Sequence, residues 1–269
     1  MQRLLQNTEE GLSMSNIDNA FKNGKAFIGF LTAGDPDLNT TKECIIAMQE
    51  AGADLIEIGI PFSDPIAEGS VIQSANIRAL KSGTNLSEIF NLVKQVRTKT
   101  KIPIVFLTYI NPIFNFCYER FFKTCFETGV DGVIIPDLPF EEKEEIKEYA
   151  EKYKTDIISL IAPTSEDRIK TIAKEAKGFV YIVSSMGVTG MRSEITTDLT
   201  SIVKIVRETT KTPAAIGFGI STPEQAKHFA RIADGVIVGS AIVKIMEKYG
   251  KDSPEYVYNY VREMKEAIK

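Results

Sequence analysis

Apolar positions along the chain gather into eight short runs, separated by stretches in which hydrophobic and charged residues alternate with helical spacing. The runs are AFIGFLTA from residue 26, DLIEIGI from 54, IPIVFLTY from 102, DGVIIPD from 131, DIISLIA from 156, FVYIVSS from 179, PAAIGFG from 213 and DGVIVGS from 234. Each is continuous rather than alternating, as parallel strands covered on both faces require. Between them lie NTTKECIIAMQEAGA, LSEIFNLVKQVRTKT, EEKEEIKEYAEKYK, SEDRIKTIAKEAK and LTSIVKIVRETTK, polar on one side and apolar on the other. Ser165 before Glu166 and Asp167, and Ser221 with Glu224 three residues on, read as helix caps. Eight β/α repeats predict an α/β fold, a (β/α)8 TIM barrel formed by residues 1–269 as a single domain. Residues 1–14 read as a flexible extension, SNIDNAFKNGK as an extra helix closing the barrel bottom, and the tail as an extra helix after the eighth strand. A doubly wound open sheet shares the alternation, and the strand count decides for the barrel.

One charge interrupts this pattern. Glu57 lies between Ile56 and Ile58 in the second run, and strand alternation turns it to the opposite face from both. A carboxylate buried there needs a partner or a raised pKa. No run carries Lys or Arg in its interior, so a raised pKa is expected, which is what an acid/base group at neutral pH requires. Glu68 follows in SDPIAEG, between Pro65 and Gly69, and is the second candidate acid. Asp64 reads as a turn residue or an interface contact.

Three loops add binding chemistry. GFGIST from 217 and GSAIVK from 239 leave the last two strands through glycines and enter helices, the usual construction of a barrel phosphate site. SSMGVTGMRSEITTD from 184 has the length and composition of a lid. Tyr181, Phe30, Leu107, Leu160 and Phe218 fall toward strand ends, where a pocket wall would lie.

Composition narrows the chemistry. The chain has 269 residues, 32 Lys plus Arg against 36 Asp plus Glu, and no basic stripe interleaved with aromatics, which excludes nucleic acid as the expected partner. No apolar stretch reaches the length of a membrane span, and MQRLLQNTEEG has acids where a signal peptide needs apolar residues; a cytoplasmic protein is expected. Cys44, Cys117 and Cys125 form no close pair and read as small buried hydrophobes. His228 is the one histidine and reads as a helix residue. No His-based metal site or Ser–His couple can be built, so proton transfer falls to carboxylates, Tyr or Lys.

The segment AGADLIEIGIPFSDPIAEG, together with FLTAGDPD, VDGVIIPDLPFEE, SSMGVTG, GFGISTPEQ and GSAIVKIMEK, resembles the tryptophan synthase α subunit family from about residue 18 onward. The resemblance implies a TIM-barrel lyase that cleaves indole-3-glycerol phosphate to indole and glyceraldehyde 3-phosphate. It implies a heterotetramer (α2β2) with a β subunit, and pyridoxal phosphate on that subunit only. Glu57 matches the acid/base carboxylate. Glu68 stands where the family has Asp, one methylene longer, at the position that holds the indole N–H. Gly190, Gly219, Gly239 and Ser240 match phosphate-binding positions. Phe30, Leu107, Tyr181, Thr189 and Phe218 match substrate contacts, and Asp64, Pro65 and Asn111 match the surface facing the β subunit. Schiff-base and metal aldolases lack their Lys or His here. A lyase acting without a β subunit, and an allosteric phosphosugar-binding subunit with little chemistry of its own, are the alternatives.

Overall fold

The computed structural model describes residues 16–183, 198–217 and 219–269. Nine strands form one parallel sheet: β1 (Ala26–Thr32), β2 (Leu55–Gly59), β3 (Ile104–Leu107), β4 (Gly132–Ile134), β5 (Asp156–Ile157), β6 (Ser159–Ile161), β7 (Val180–Val183), β8 (Ala214–Gly217) and β9 (Gly235–Val238). Their order, β5-β4-β3-β2-β1-β9-β8-β7-β6, closes on itself because β5 and β6 are one expected run interrupted at Ile158. The Ile158 N–H still donates to Val133 O at 2.9 Å, so the ladder passes through the break. The eight runs read from the sequence thus make a closed TIM barrel.

Helices α1 (Leu38–Glu50), α2 (Ser70–Lys81), α3 (Leu86–Arg97), α4 (Ile110–Phe116), α5 (Tyr118–Thr128), α6 (Glu144–Lys152), α7 (Glu166–Lys174), α8 (Leu199–Thr209), α9 (Pro223–Ile232), α10 (Ser240–Tyr249) and α11 (Ser253–Ala267) are arranged around the sheet. Their starts are sealed by local side chains. Asp37 accepts from Thr40 N, Asn85 forms a reciprocal box with Glu88, and Ser165 accepts from Arg168 N as expected. The α9 cap differs from the expectation: Thr222, paired with Gln225, takes the place of Ser221 with Glu224. Pro223 explains the shift, since proline favours the first helical position and makes the preceding residue the cap. Two of the three free cysteines are buried, but Cys117 is exposed at the junction of α4 and α5, where its φ of 73° turns the chain. His228 is an exposed residue of α9.

The core divides at the sheet. Ile56, Ile58, Ile104 and Phe106 pack outward against the helices, each burial contributing about 1.5–3 kcal/mol. Ile28, Leu55, Val105, Ile134, Phe179 and Tyr181 fill the lumen. A 3-10 helix, Asn16–Phe21, adds Ile17 and Ala20 to the lumen cluster, so the expected extra helix exists as a tighter turn. α10 and α11 supply the extra helix after the last strand.

Candidate functional site

Glu57 occupies the middle of β2, opposite Phe30 of β1 and Val105 of β3. Because Ile56 and Ile58 face outward, its side chain joins Leu55 and Val105 on the lumen side. It is 1% exposed, and among the described residues its Oε2 has no hydrogen-bond partner. Burial, and after it the negative charge of Glu68, pushes the Glu57 pKa up to about 8. The carboxyl is therefore protonated at neutral pH and can act first as an acid.

Glu68 is 4% exposed, two residues before α2. Asn76 Nδ2 donates to its Oε2 at 2.6 Å, and the Tyr109 hydroxyl is a second partner. The Gln73 amide donates to the Glu68 carbonyl at 2.7 Å, fixing the backbone as well. Burial pushes the Glu68 pKa up to about 7, and the two side-chain hydrogen bonds oppose that rise. The donors on Glu68 favour its charged form, and that charge in turn helps to keep Glu57 protonated. Neither acid has a cation within ion-pair distance among the described residues.

Asn76 and Tyr109 were not picked out from the sequence. Asn76 shares the buried stripe of α2 with Ile72, Ala75 and Ala79, and a polar residue on such a stripe is the available signal. Tyr109 lies just before α4; the Ala67 N–H donates to its hydroxyl at 3.2 Å and its ring packs 5.1 Å from that of Phe62.

The apolar candidates line the same space. Phe30 is buried, and its ring fills the volume a Cβ on Gly59 would need. Leu107, at the end of β3, packs against both the lumen cluster and the Phe30 cluster. Leu160 packs on the lumen side. The Tyr181 hydroxyl lies 2.5 Å from where a Cβ on Gly217 would stand, so only glycine at 217 admits it. Burial, then the nearby Glu57 carboxylate, pushes the Tyr181 phenol well above its ordinary value. Thr189, Gly190 and Phe218 lie outside the described residues, as does the expected lid segment from 184 to 198 apart from its last residue, Asp198, which caps α8.

Two helix starts border this mouth, and they differ. α9 begins closed: Gln225 Oε1 accepts from Ser221 N at 2.8 Å and Thr222 N at 3.3 Å, while Thr222 Oγ1 accepts from Gln225 N at 3.3 Å. α10 begins at Ser240 immediately after Gly239, with no side-chain cap. Its first N–H groups are the ones left for an anion. Gly219 reaches the same rim with φ of +92°, a conformation that favours glycine.

Asp64 and Asn111 are exposed and Pro65 is half-buried. Beside them the sequence reading overlooked two apolar side chains, Ile66 and Phe114, which are 69% and 64% exposed. Among the described residues no group of three or more His, Cys, Asp or Glu is placed to hold a metal ion.

A family model described as tryptophan synthase alpha chain matches residues 17–269. The tryptophan synthase alpha chain of Lacticaseibacillus casei is 48% identical over 255 residues, covering 95% of this chain and 96% of that protein. Among solved structures, the tryptophan synthase complex from Pyrococcus furiosus is similar with a TM-score of 0.83 at 37% identity, covering 90% of this chain and 99% of that one. The tryptophan synthase alpha chain from Legionella pneumophila has a TM-score of 0.85 at 33% identity, covering 95% and 98%.

Proposed function

The chain belongs to the tryptophan synthase alpha chain family, and on that premise we propose which of its residues perform the reaction. It is a carbon–carbon lyase of tryptophan biosynthesis that cleaves indole-3-glycerol phosphate to indole and glyceraldehyde 3-phosphate, and it partners the tryptophan synthase β subunit. In the proposed assignment, Gly219, Gly239, Ser240 and Gly190 hold the phosphate through backbone N–H groups. Phe30, Leu107, Tyr181, Thr189 and Phe218 line the indole and glycerol positions.

Glu57, protonated at rest, gives its proton to indole C3, which makes the ring an electron sink. As the bond from C3 to the glycerol carbon breaks, its electron pair restores the indole aromatic system. The hydroxyl on that carbon becomes the aldehyde oxygen, and its proton returns to Glu57. Glu68, ionised, accepts the indole N–H while positive charge develops on the ring. This cycle consumes no redox equivalent and returns Glu57 to its starting state, so side chains suffice; pyridoxal phosphate belongs to the β subunit. Asp64, Pro65 and Asn111, with Ile66 and Phe114, form the proposed contact with that subunit. A cytoplasmic location is part of the same proposal, supported by three free cysteines and by the lack, among the described residues, of a helix long and apolar enough to cross a membrane.

The observation that carries the assignment is a buried carboxyl, Glu57, with an unpartnered oxygen beside a second buried acid. The test follows indole release from indole-3-glycerol phosphate for the wild type, Glu57→Gln and Glu68→Gln, each with and without the β subunit. Slow release alone, strong stimulation by the β subunit and loss in both variants are expected. A Glu57→Gln enzyme that keeps its rate overturns the acid/base role, and an unstimulated wild type points to a lyase that acts alone.

A further inference from the structure

The two acids share one mouth but not one environment. Glu68 Oε2 receives an amide N–H from Asn76 at 2.6 Å, whereas Glu57 Oε2 receives nothing from the described residues. Asn76 is itself 3% exposed on the buried stripe of α2, so its amide is held by packing and does not swing between partners. A hydrogen bond donated to a carboxylate favours the charged form, and in a dry site that preference is strong. The mechanism needs one negative charge in one place: on Glu68, where the indole N–H arrives, with the proton left on Glu57. Because the charge of Glu68 acts on Glu57, the two carboxyls titrate as a linked pair, and better donors on one of them draw the charge there.

We propose that Asn76 is the positioning residue that assigns the shared charge to Glu68 and thereby leaves Glu57 as the acid. This rests on the roles given to the two acids above. The groups facing Glu68 from each neighbouring element among the described residues are Glu57 of β2, Tyr109 before α4, and Asn76 of its own helix. Tyr181 of β7 faces Glu57 instead. Arg78 of the same helix, two positions on from Asn76, is held by Asp35 at 2.8 Å and by Glu247 at 2.7 Å. Tyr109 is the second donor, but its hydroxyl also accepts from Ala67 N, so it positions the loop as much as the acid. Among the described residues Asn76 has no such second task in the loop. The same amide anchors the end of the Glu68 side chain.

The test uses the complex with the β subunit and measures indole formation from indole-3-glycerol phosphate across pH for Asn76→Leu and Asn76→Ala. Loss of the donor is expected to lower kcat/KM at pH 7 by at least about tenfold and to move the acid limb of the profile upward by about one pH unit. Affinity for glycerol 3-phosphate, measured by titration, is expected to stay within about twofold, because Asn76 is not among the groups proposed to hold the phosphate. A wild-type profile in either variant overturns the proposal. So does a uniform loss with both limbs unmoved, or a failure of both variants to fold, since each would make the amide a packing group. Glu68→Gln separates the two levels of the argument. If it keeps its rate, the role of Glu68 is wrong; if it is inactive while the Asn76 variants keep the wild-type profile, only the inference about Asn76 falls.

Discussion

Two sets of carboxylates, the aspartates at the N-terminal rim of the barrel and the Glu57–Glu68 pair at the C-terminal mouth, are treated in opposite ways. At the N-terminal rim three aspartates stand immediately before strands, and each does the same work. Asp54 accepts from Phe27 N at 2.7 Å and pairs with Lys265 at 2.6 Å; Asp131 accepts from Ile104 N and pairs with Arg97, both at 2.8 Å; Asp234 accepts from Ala214 N at 3.0 Å and pairs with Arg207 at 2.7 Å. Every one of them ties a strand to its neighbour and borrows a cation from a helix. At the C-terminal rim Glu57 and Glu68 are more deeply buried and have no cation among the described residues. The contrast sets acids that brace the fold against acids left free to titrate; the C-terminal end has both kinds, since Asp35 there is paired with Arg78 at 2.8 Å. An acid meant to titrate near pH 7 cannot be given a salt bridge, because the cation would hold it ionised.

The sharpest way to break that comparison is Glu57→Gln. In the complex it is expected to lower indole formation by about a thousandfold or more, since it removes the donor and acceptor for both proton transfers. It is also expected to stabilise the fold. The Glu57 pKa is raised in the native state from 4.5 to about 8, so between those pH values the unfolded chain releases a proton that the folded chain retains. Stability contributed at this site therefore falls as pH rises through that window, by several kcal/mol in total. Glutamine removes this dependence. Denaturation of the isolated chain at pH 5 and pH 8 checks it: the variant should gain over the wild type at pH 8 and little at pH 5. A variant that loses stability at both would mean that Glu57 is held by a partner after all.

The opposite rim should respond in the opposite sense. Burial pushes the Asp131 carboxyl up and the Arg97 guanidinium down, so their contact is what keeps both charged. Asp131→Ala strips Arg97 of its carboxylate, leaving it, among the described residues, only the Gly129 and Ile102 carbonyls, and leaves the Ile104 N–H without that acceptor. A destabilisation of about 3 kcal/mol is expected in denaturant melts, with turnover per folded molecule unchanged. Loss of turnover without loss of stability would erase the distinction between the rims.

How far each rim was legible follows from where its partners come from. The strands were readable because burial on both faces makes each a continuous apolar run, and three of the runs begin with the rim aspartates Asp54, Asp131 and Asp234. Glu57 was readable because a charge inside such a run is a local contradiction. The partners were not: Lys265 lies 211 positions from Asp54, and Tyr109 lies 42 from the Ala67 amide it accepts from, separations no local pattern encodes. Helix α2 is not among the helical stretches read from the sequence, because Gln73 and Asn76 break its apolar stripe, and those polar residues are the ones that hold Glu68. The cap of α9 was misplaced by one residue for a local reason, the pull of Pro223. Fold was thus written in periodicity, whereas the environment of the acids was written in tertiary convergence.

The smallest test concerns a third group on the catalytic side. Thr32, the last residue of β1, is 1% exposed, and its hydroxyl has no partner among the described residues. It is paired in register with Gly59, two positions beyond the Phe30–Glu57 pair, yet the proposed reaction gives it no proton to move. A buried hydroxyl without a partner lowers stability, and valine keeps its branched shape without the polar atom. Thr32→Val is therefore expected to raise stability by about 1 kcal/mol in denaturant melts and to leave kcat within about twofold. A gain in stability with unchanged turnover means that this rim tolerates more unpaired polarity than its chemistry uses. A fall in turnover alongside that gain would instead add Thr32 to the groups whose unpaired state serves the reaction, and the comparison between the rims would become stricter.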